Sequence, residues 1–333
     1  MARPLLRPVK HDAEIHGSDG LGGVEGLLPA SDPNVQAKLA ESQGHNAIEA
    51  LANAARALPK GQQLAIVATG ALTNIALFVM VYPELVRDKV SQIVLMGGAE
   101  GVRGNRSPTA EFNILIDPHA ASIVFDAEVK VVMTVCSASL TLTLTPSLIL
   151  LLFSLSLFVS VLSIFPSCAH ILQPLNVTHQ ALFRSHDHAN LLVPPSASNS
   201  RTDTSTAAHT PLRHSLSTLL NFFAETYATV FNFTEGPPVH DPLCIAYIAE
   251  PNLFKGKRYR VDVELEGKWT AGTTSVDIYG YRDEELTAYK EDANSRESWG
   301  SKGKNVFVLE ELDVSLASAH QSISETDISS DER

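Results

Sequence analysis

The chain has 333 residues, 44% of them apolar and 19% charged, proportions that exclude a disordered or fibrous polypeptide and leave room for one large core or two modest ones. Its formal charge is −12, from 37 Asp and Glu against 25 Lys and Arg, with no basic block, which excludes nucleic-acid binding through phosphate neutralisation. The three cysteines, Cys136, Cys168 and Cys244, are an odd number at no metal-type spacing, so no disulfide framework is expected and a reducing, cytoplasmic setting is.

The first eight residues are too short in their apolar part and too rich in proline for a secretory signal. Over residues 47–58 the apolar side chains Ala47, Ile48, Leu51, Ala54, Ala55 and Leu58 recur at helical spacing, and Pro59-Lys60-Gly61 stops the helix. Residues 64–67 are short, continuous and apolar, as a buried parallel strand is, and run through a Thr-Gly turn into a helical stretch at 72–81. A strand at 93–96, a polar loop, a helix opened by Asp117-Pro118 over 119–125 and a strand at 129–135 follow. This βαβαβ alternation predicts an α/β fold: an open, Rossmann-like, mostly parallel sheet with helices on both faces. Ligands bind such sheets at the carboxyl ends of the strands, where Thr69 and the loop from Met96 to Asn113 both fall.

Farther on, Leu216, Leu219, Leu220, Phe223, Tyr227 and Val230 form one stripe along residues 212–231 and predict a core helix. After His240 a helix is expected through Ile248, ending near Pro251. Residues 259–265 alternate with period two as a half-buried strand. The Ser/Asp/Glu-rich stretch 315–333 reads as a disordered tail.

Residues 140–165 are rich in Leu, Ser, Phe and Val, carry no charge, and are long enough to cross a bilayer. A spanning helix there would split the sheet just after the strand at 129–135. We read residues 136–173 as an insertion, best explained as a translated, unspliced intron, with a membrane tether or an ordered core insertion as the alternatives. Val135 is then expected to lie near Pro174.

Three polar clusters carry the chemistry. Ala68-Thr69-Gly70-Ala71-Leu72-Thr73-Asn74 follows the first strand. Met96-Gly97-Gly98, Gly104-Asn105 and Ala110-Glu111-Phe112-Asn113 follow the second, and His240-Asp241-Pro242 opens an apolar helix. Read alone, His-Asp-Pro is a helix N-cap, and a lone Asn or Glu in a loop is a turn residue. Together the clusters resemble the inosine-uridine-preferring nucleoside hydrolase family, whose members are calcium-dependent and cut the N-ribosidic bond. Residues 211–219, Phe223-Ala224-Glu225 and Gly236-Pro237-Pro238 are similar to its fungal, uridine-type branch.

The resemblance covers residues 14–314 as one domain, interrupted at 136–173. It implies hydrolysis of ribonucleosides to ribose and free base, with His240 protonating the leaving base. It implies that Asn105, Glu111 and Asn113 hold the ribose hydroxyls, that Met96 lines the sugar, and that His16, in the loop His16-Gly17-Ser18-Asp19-Gly20, stands near the pocket entrance. Asp241 and the Thr69 carbonyl would be calcium ligands, in keeping with the oxygen preference of a hard cation. Histidine changes charge near neutral pH, so His240 is expected to donate its proton without a large pKa shift. The family's opening aspartate cluster, Asp-x-Asp-Pro-Gly-x-Asp-Asp, does not occur in this sequence. The fold is therefore expected to be incomplete at its N-terminal side and the calcium site short of ligands. A catalytically inactive, sugar- or partner-binding homologue is the alternative, and a homo-oligomer remains open.

Overall fold

The computed structural model describes residues 4–9, 13–17, 19–42, 46–100, 104–135, 177–192, 208 and 210–313. Two helices, α1 (Ala13–His16) and α2 (Pro33–Ser42), precede the alternation that the apolar pattern predicts. Asn46 opens α3 (Ala47–Ala57) by accepting the Glu49 N–H on its side chain at 2.8 Å. β1 (Leu64–Ala68) and α4 (Thr73–Val81) follow. Pro83 cannot continue α4 and instead starts α5 (Pro83–Lys89), a helix absent from the sequence reading, before β2 (Val90–Met96). After the polar loop come α6 (Phe112–Ile116), α7 (Pro118–Phe125) and β3 (Lys130–Thr134). Asp117 caps α7, accepting the Ala120 N–H at 3.2 Å, and also accepts the Thr73 hydroxyl at 2.6 Å, which ties α7 to α4.

The second half contributes α8 (Val177–Gln180), α9 (Ser185–Leu192), the 21-residue α10 (Pro211–Phe231) and α11 (Pro242–Ala249). Strands β4 (Phe254–Tyr259), β5 (Val261–Val263) and β6 (Thr274–Val276), the short α12 (Thr287–Glu291) and β7 (Val306–Leu312) close the described chain. The main sheet has the order β1-β2-β3-β7-β4, parallel except for the antiparallel β4–β7 pair.

Alternation along β2 and β3 sends side chains to opposite faces. Ile93, Leu95, Val131 and Met133 pack under α3, α4 and α7, while Val94 and Val132 meet Leu243, Cys244 and Tyr247 of α11. Helices therefore cover both faces, and full burial of each of these aliphatic side chains contributes about 2 kcal/mol.

Two sequence expectations fail here. Residues 259–265 are not one strand: at the buried Arg260 the chain leaves the main sheet, and β5 pairs with β6 instead. The Arg260 guanidinium is satisfied by Asp126 at 2.9 Å, by the Ser301 carbonyl at 3.1 Å and by Asp262, a demand that alternation alone does not reveal. Nor is α10 a core helix, since Ser217 is its one buried residue and Leu216 and Val230 are exposed. Leu220, Phe223 and Tyr227 of its stripe face a cavity, and a cavity wall needs the same apolar pattern as a core.

The apolar stretch 140–165, Pro174 and the tail at 315–333 lie outside the described residues. Thr178, four residues beyond Pro174, is buried and donates its hydroxyl to the Val135 carbonyl at 3.4 Å, so the chain resumes beside the point where β3 ends. Among the described residues no helix is long and apolar enough to cross a membrane.

Candidate active site

A cavity of about 250 Å3 opens at the carboxyl ends of β1 and β2, and all eight residues singled out in the sequence line it: His16, Thr69, Met96, Asn105, Glu111, Asn113, His240 and Asp241. One wall is made of strand-end loops and is polar. The other is the face of α10 that carries Leu220, Phe223, Tyr227 and Phe231.

The polar wall is built around Glu111. As N-cap of α6 it accepts the Asn113 N–H at 2.9 Å, and the same oxygen accepts the Gly98 N–H at 3.2 Å. Gly98 has φ +84, and a Cβ there would fall 2.5 Å from the Met133 sulfur, so the Gly97-Gly98 pair is what lets the backbone turn toward the carboxyl group. Glu111 is a buried cap, not a solvated turn residue. Burial pushes its carboxyl up to about 7, against the pull of the Asn113, Gly98 and Ile114 amides and the Asn105 side chain.

Asn113 joins two strand ends. Its Nδ2 donates to the Met96 carbonyl at 2.9 Å and to the Thr69 carbonyl at 3.4 Å, which leaves Oδ1 as the atom available to a ligand. Asn105 accepts the Phe112 N–H at 2.9 Å. Across the mouth, Arg106 pairs with Glu14 at 2.9 Å, and His16 sets its ring edge-on to Phe223 with centroids 5.9 Å apart.

His240 lies where the two walls meet. Its Nε2 is 2.9 Å from the Tyr227 hydroxyl, and its Nδ1 is buried without a hydrogen-bond partner among the described residues. Burial, reinforced by the neighbouring His179, holds its pKa down to about 3. The expectation of a histidine that changes charge near neutral pH is therefore corrected: in this site the ring is neutral at pH 7, because no acidic partner offsets its desolvation. Asp241 makes no side-chain cap bond at the start of α11, so the plain N-cap reading of His-Asp-Pro fails. Its carboxyl has an accessible side toward the cavity and no hydrogen-bond partner among the described residues, while the surrounding protein raises its pKa to about 6.

Sequence reasoning missed Tyr227, which it assigned to a core stripe, and His179, whose ring centroid is 5.7 Å from that of His240. The signal for Tyr227 was a hydroxyl in an otherwise apolar stripe, since a tyrosine in such a place wants a polar partner.

This is the layout of an α/β enzyme site that can hold a polar, hydroxyl-rich group on its sheet side and a flat, apolar one on its helix side. The sequence model of the inosine-uridine preferring nucleoside hydrolase family matches residues 1–156 and 158–318, with the break inside the apolar stretch. A pyrimidine-specific ribonucleoside hydrolase, RihA, of Citrobacter koseri is 33% identical over 278 residues, covering 83% of this chain and 68% of that protein. RihA of Escherichia coli is 32% identical over 277 residues, with the same two coverages, 83% and 68%. Among solved structures, an inosine-guanosine nucleoside hydrolase superposes with TM-score 0.63 at 18% identity, covering 94% of this chain and 76% of that one. A purine-preferring ribonucleoside hydrolase from Gardnerella vaginalis gives TM-score 0.60 at 22% identity, with coverages of 94% and 74%. The chain belongs to the inosine-uridine preferring nucleoside hydrolase family.

The described residues do not make up a calcium site by themselves. The oxygens the resemblance assigns are the Asp241 carboxylate and the Thr69 carbonyl, and the latter already accepts from Asn113. Calcium takes about six to eight oxygens, and no group of three or more His, Cys, Asp or Glu able to hold a metal occurs among the described residues.

Proposed function

We propose that this chain hydrolyses the N-glycosidic bond of ribonucleosides, releasing ribose and a free base. The observation that carries the reading is the division of one cavity into a polar wall and an aromatic wall, with His240 at their junction. Ribose would sit against Asn105, Glu111, Asn113 and Met96, where the Asn113 Oδ1 and the Glu111 carboxyl meet its hydroxyls. The base would lie along Phe223 and Tyr227, under His16. Cleavage leaves electron density on the departing base, and His240 with Tyr227 supplies the hydrogen-bond donor there. Because burial holds His240 neutral at pH 7, the pair would meet the base as hydrogen-bond donors, and the proton the base takes up would come from water that reaches the cavity and not from a standing imidazolium. At the sugar end, Asp241 is a carboxylate without a partner among the described residues, placed to meet a cation or a water. With the Thr69 carbonyl it would contribute to calcium binding only together with donors outside the described set.

That shortfall of donors favours one second reading, a homologue that keeps the pocket and binds nucleosides or sugars without turnover. The test is base release from uridine and inosine with calcium present, alongside titration of calcium and of ribose against the protein. Base release that His240→Ala suppresses supports the hydrolase. Saturable binding of ribose with no base release, with or without calcium, supports the binding protein, and no binding of either nucleoside would sink both.

A further inference from the structure

The polar wall is braced by the β5–β6 hairpin, which does not itself line the cavity. The hairpin meets the chain between β2 and the end of α6 in three places. Thr273 donates its hydroxyl to that of Thr109 at 2.6 Å. Gly272, at φ +88, comes so close to α6 that a Cβ there would fall 2.8 Å from the Leu115 Cα. The third contact is Thr274, the first residue of β6, which is buried. Its hydroxyl accepts the Ala99 N–H at 2.9 Å and donates to the Ala99 carbonyl at 2.7 Å. A hydroxyl has one hydrogen and two lone pairs, so this one side chain satisfies both backbone groups of a buried residue beyond the end of β2.

Ala99 ends the turn that serves Glu111. At the start of that turn the Gly97 N–H donates to the Thr134 carbonyl of β3 at 3.2 Å, and at its end stands the Thr274 hydroxyl. Between these anchors the Gly98 N–H reaches the Glu111 carboxyl at 3.2 Å. Glycines leave a turn soft, because no side chain restricts φ. Such a turn keeps a donor aimed at a buried carboxyl when both of its ends are fixed, and β3 fixes only one of them.

We propose that Thr274 is a positioning residue for Glu111. Through Ala99 it holds the Gly98 N–H on the Glu111 carboxyl and so sets the place of that carboxyl on the polar wall. Valine would fill the same volume but would leave the Ala99 N–H and carbonyl buried without the hydroxyl, a cost the turn relieves by moving away from Glu111. The inference rests on the reading of Glu111 as a group that meets the ribose, but its first test requires neither binding nor turnover.

With glycine labelled by 13C at its carbonyl and by 15N, the glycine amides that follow a labelled carbonyl are those of Gly23 and Gly98, and Glu111→Gln identifies Gly98 as the one that moves. In the parent protein the Gly98 amide proton is expected downfield, as for a donor to a carboxyl oxygen. In Thr274→Val it should move upfield toward its value in Glu111→Ala, and in Thr274→Ser, which keeps the hydroxyl, it should return. Ribose titrated against the same proteins should bind Thr274→Val roughly tenfold more weakly, the order set by one hydrogen bond to a carboxyl group. Thr274→Ser should restore that affinity, and Thr274→Val should cause no further loss in a Glu111→Ala background. A threonine that serves the fold alone would lower the urea midpoint of Thr274→Val and leave the Gly98 amide and the ribose affinity at their parent values. That result, or an equal loss of affinity with Glu111 already removed, would overturn the proposal. A Gly98 amide that moves in a protein whose parent binds neither ribose nor nucleoside would uphold Thr274 and refute the reading of the cavity. Should Thr274→Val fail to fold, Thr274→Cys, similar in size and a weak donor, should show the same losses, and parent values there would overturn the proposal.

Discussion

The two walls of the cavity are held in place by different physics. On the polar wall each functional atom is fixed by hydrogen bonds from strand ends: Glu111 by two backbone amides, Asn113 by two carbonyls. The aromatic wall is a single helix face whose polar anchor at the cavity is the Tyr227–His240 contact. The first wall is the more tightly preorganised of the two, which on the proposed reading would suit a sugar on that side and a base on the other. The difference extends to protonation. Burial raises Glu111 to about 7 and lowers His240 to about 3, so near neutral pH the polar wall carries the strained charge and the aromatic wall carries none.

Removing His240 should give the largest effect, because it breaks the Tyr227–His240 pair proposed to meet the departing base. His240→Ala is expected to lower kcat by about 100-fold while leaving KM within a few-fold, since a hydrogen-bond donor aimed at charge that develops in the transition state contributes about that much. Steady-state kinetics on uridine and inosine provide the check. An unchanged kcat would move the base-side chemistry to another residue.

Glu111 offers the sharpest contrast in pH dependence. Its folded pKa of about 7 lies above the unfolded value of 4.5, so its contribution to stability is fully present below pH 4.5 and is lost as pH rises to about 7. The span of roughly 2.5 units corresponds to about 3 kcal/mol. His240 runs the other way: its folded pKa of about 3 is below 6.5, so its contribution is present above pH 6.5 and is lost as pH falls toward 3. Glu111→Gln should therefore gain about 3 kcal/mol relative to the parent between pH 4.5 and pH 7.5 in urea denaturation. A constant difference across that range would mean that Glu111 ionises at its ordinary pKa.

Asn113→Ala should cost about 2 kcal/mol of stability, because the Met96 carbonyl loses its side-chain donor and a buried cap region loses packing. Nucleoside binding should weaken along with it. Asn113→Asp, which cannot donate to those carbonyls when ionised, should be at least as damaging, and an isothermal titration with ribose would show whether stability and binding fall together.

The alternation of β1, α4, β2, α7 and β3 was legible because buried parallel strands are continuous apolar runs and Asp117-Pro118 is a strong helix start. The polar wall was legible for a related reason: its residues come from the loops directly after those strands, so finding the strands locates Thr69, Asn105, Glu111 and Asn113. The aromatic wall was not. Leu220, Phe223 and Tyr227 repeat at helical spacing whether they face a core or a cavity, and periodicity cannot tell the two apart. The protonation of His240 was illegible as well, since it depends on burial and on His179, which is 61 positions away in the chain. The end of the strand at Tyr259 escaped notice because its cause, the ion pairs of Arg260 with Asp126 and Asp262, is tertiary.

The smallest expected effect tests the corrected role of α10. Val230 belongs to the stripe that predicts a core helix, yet it is 42% exposed near the C-terminal end of α10. Were it a core residue, Val230→Ala would remove two buried methyl groups and leave a cavity, at a cost of about 1–2 kcal/mol. At an exposed helical position, alanine loses little burial and gains several tenths of a kcal/mol in helix propensity over valine. The variant should therefore match the parent within about 0.5 kcal/mol in urea denaturation and should turn over nucleoside at the same rate. Phe223→Ala, two turns earlier on the face that lines the cavity, should weaken nucleoside binding far more than it lowers stability, since Phe223 is half-buried at the cavity and meets His16 across it. If the two variants instead lost stability alike, α10 would be packing as a core helix, and the aromatic wall would be support for the fold before it is a surface for the base.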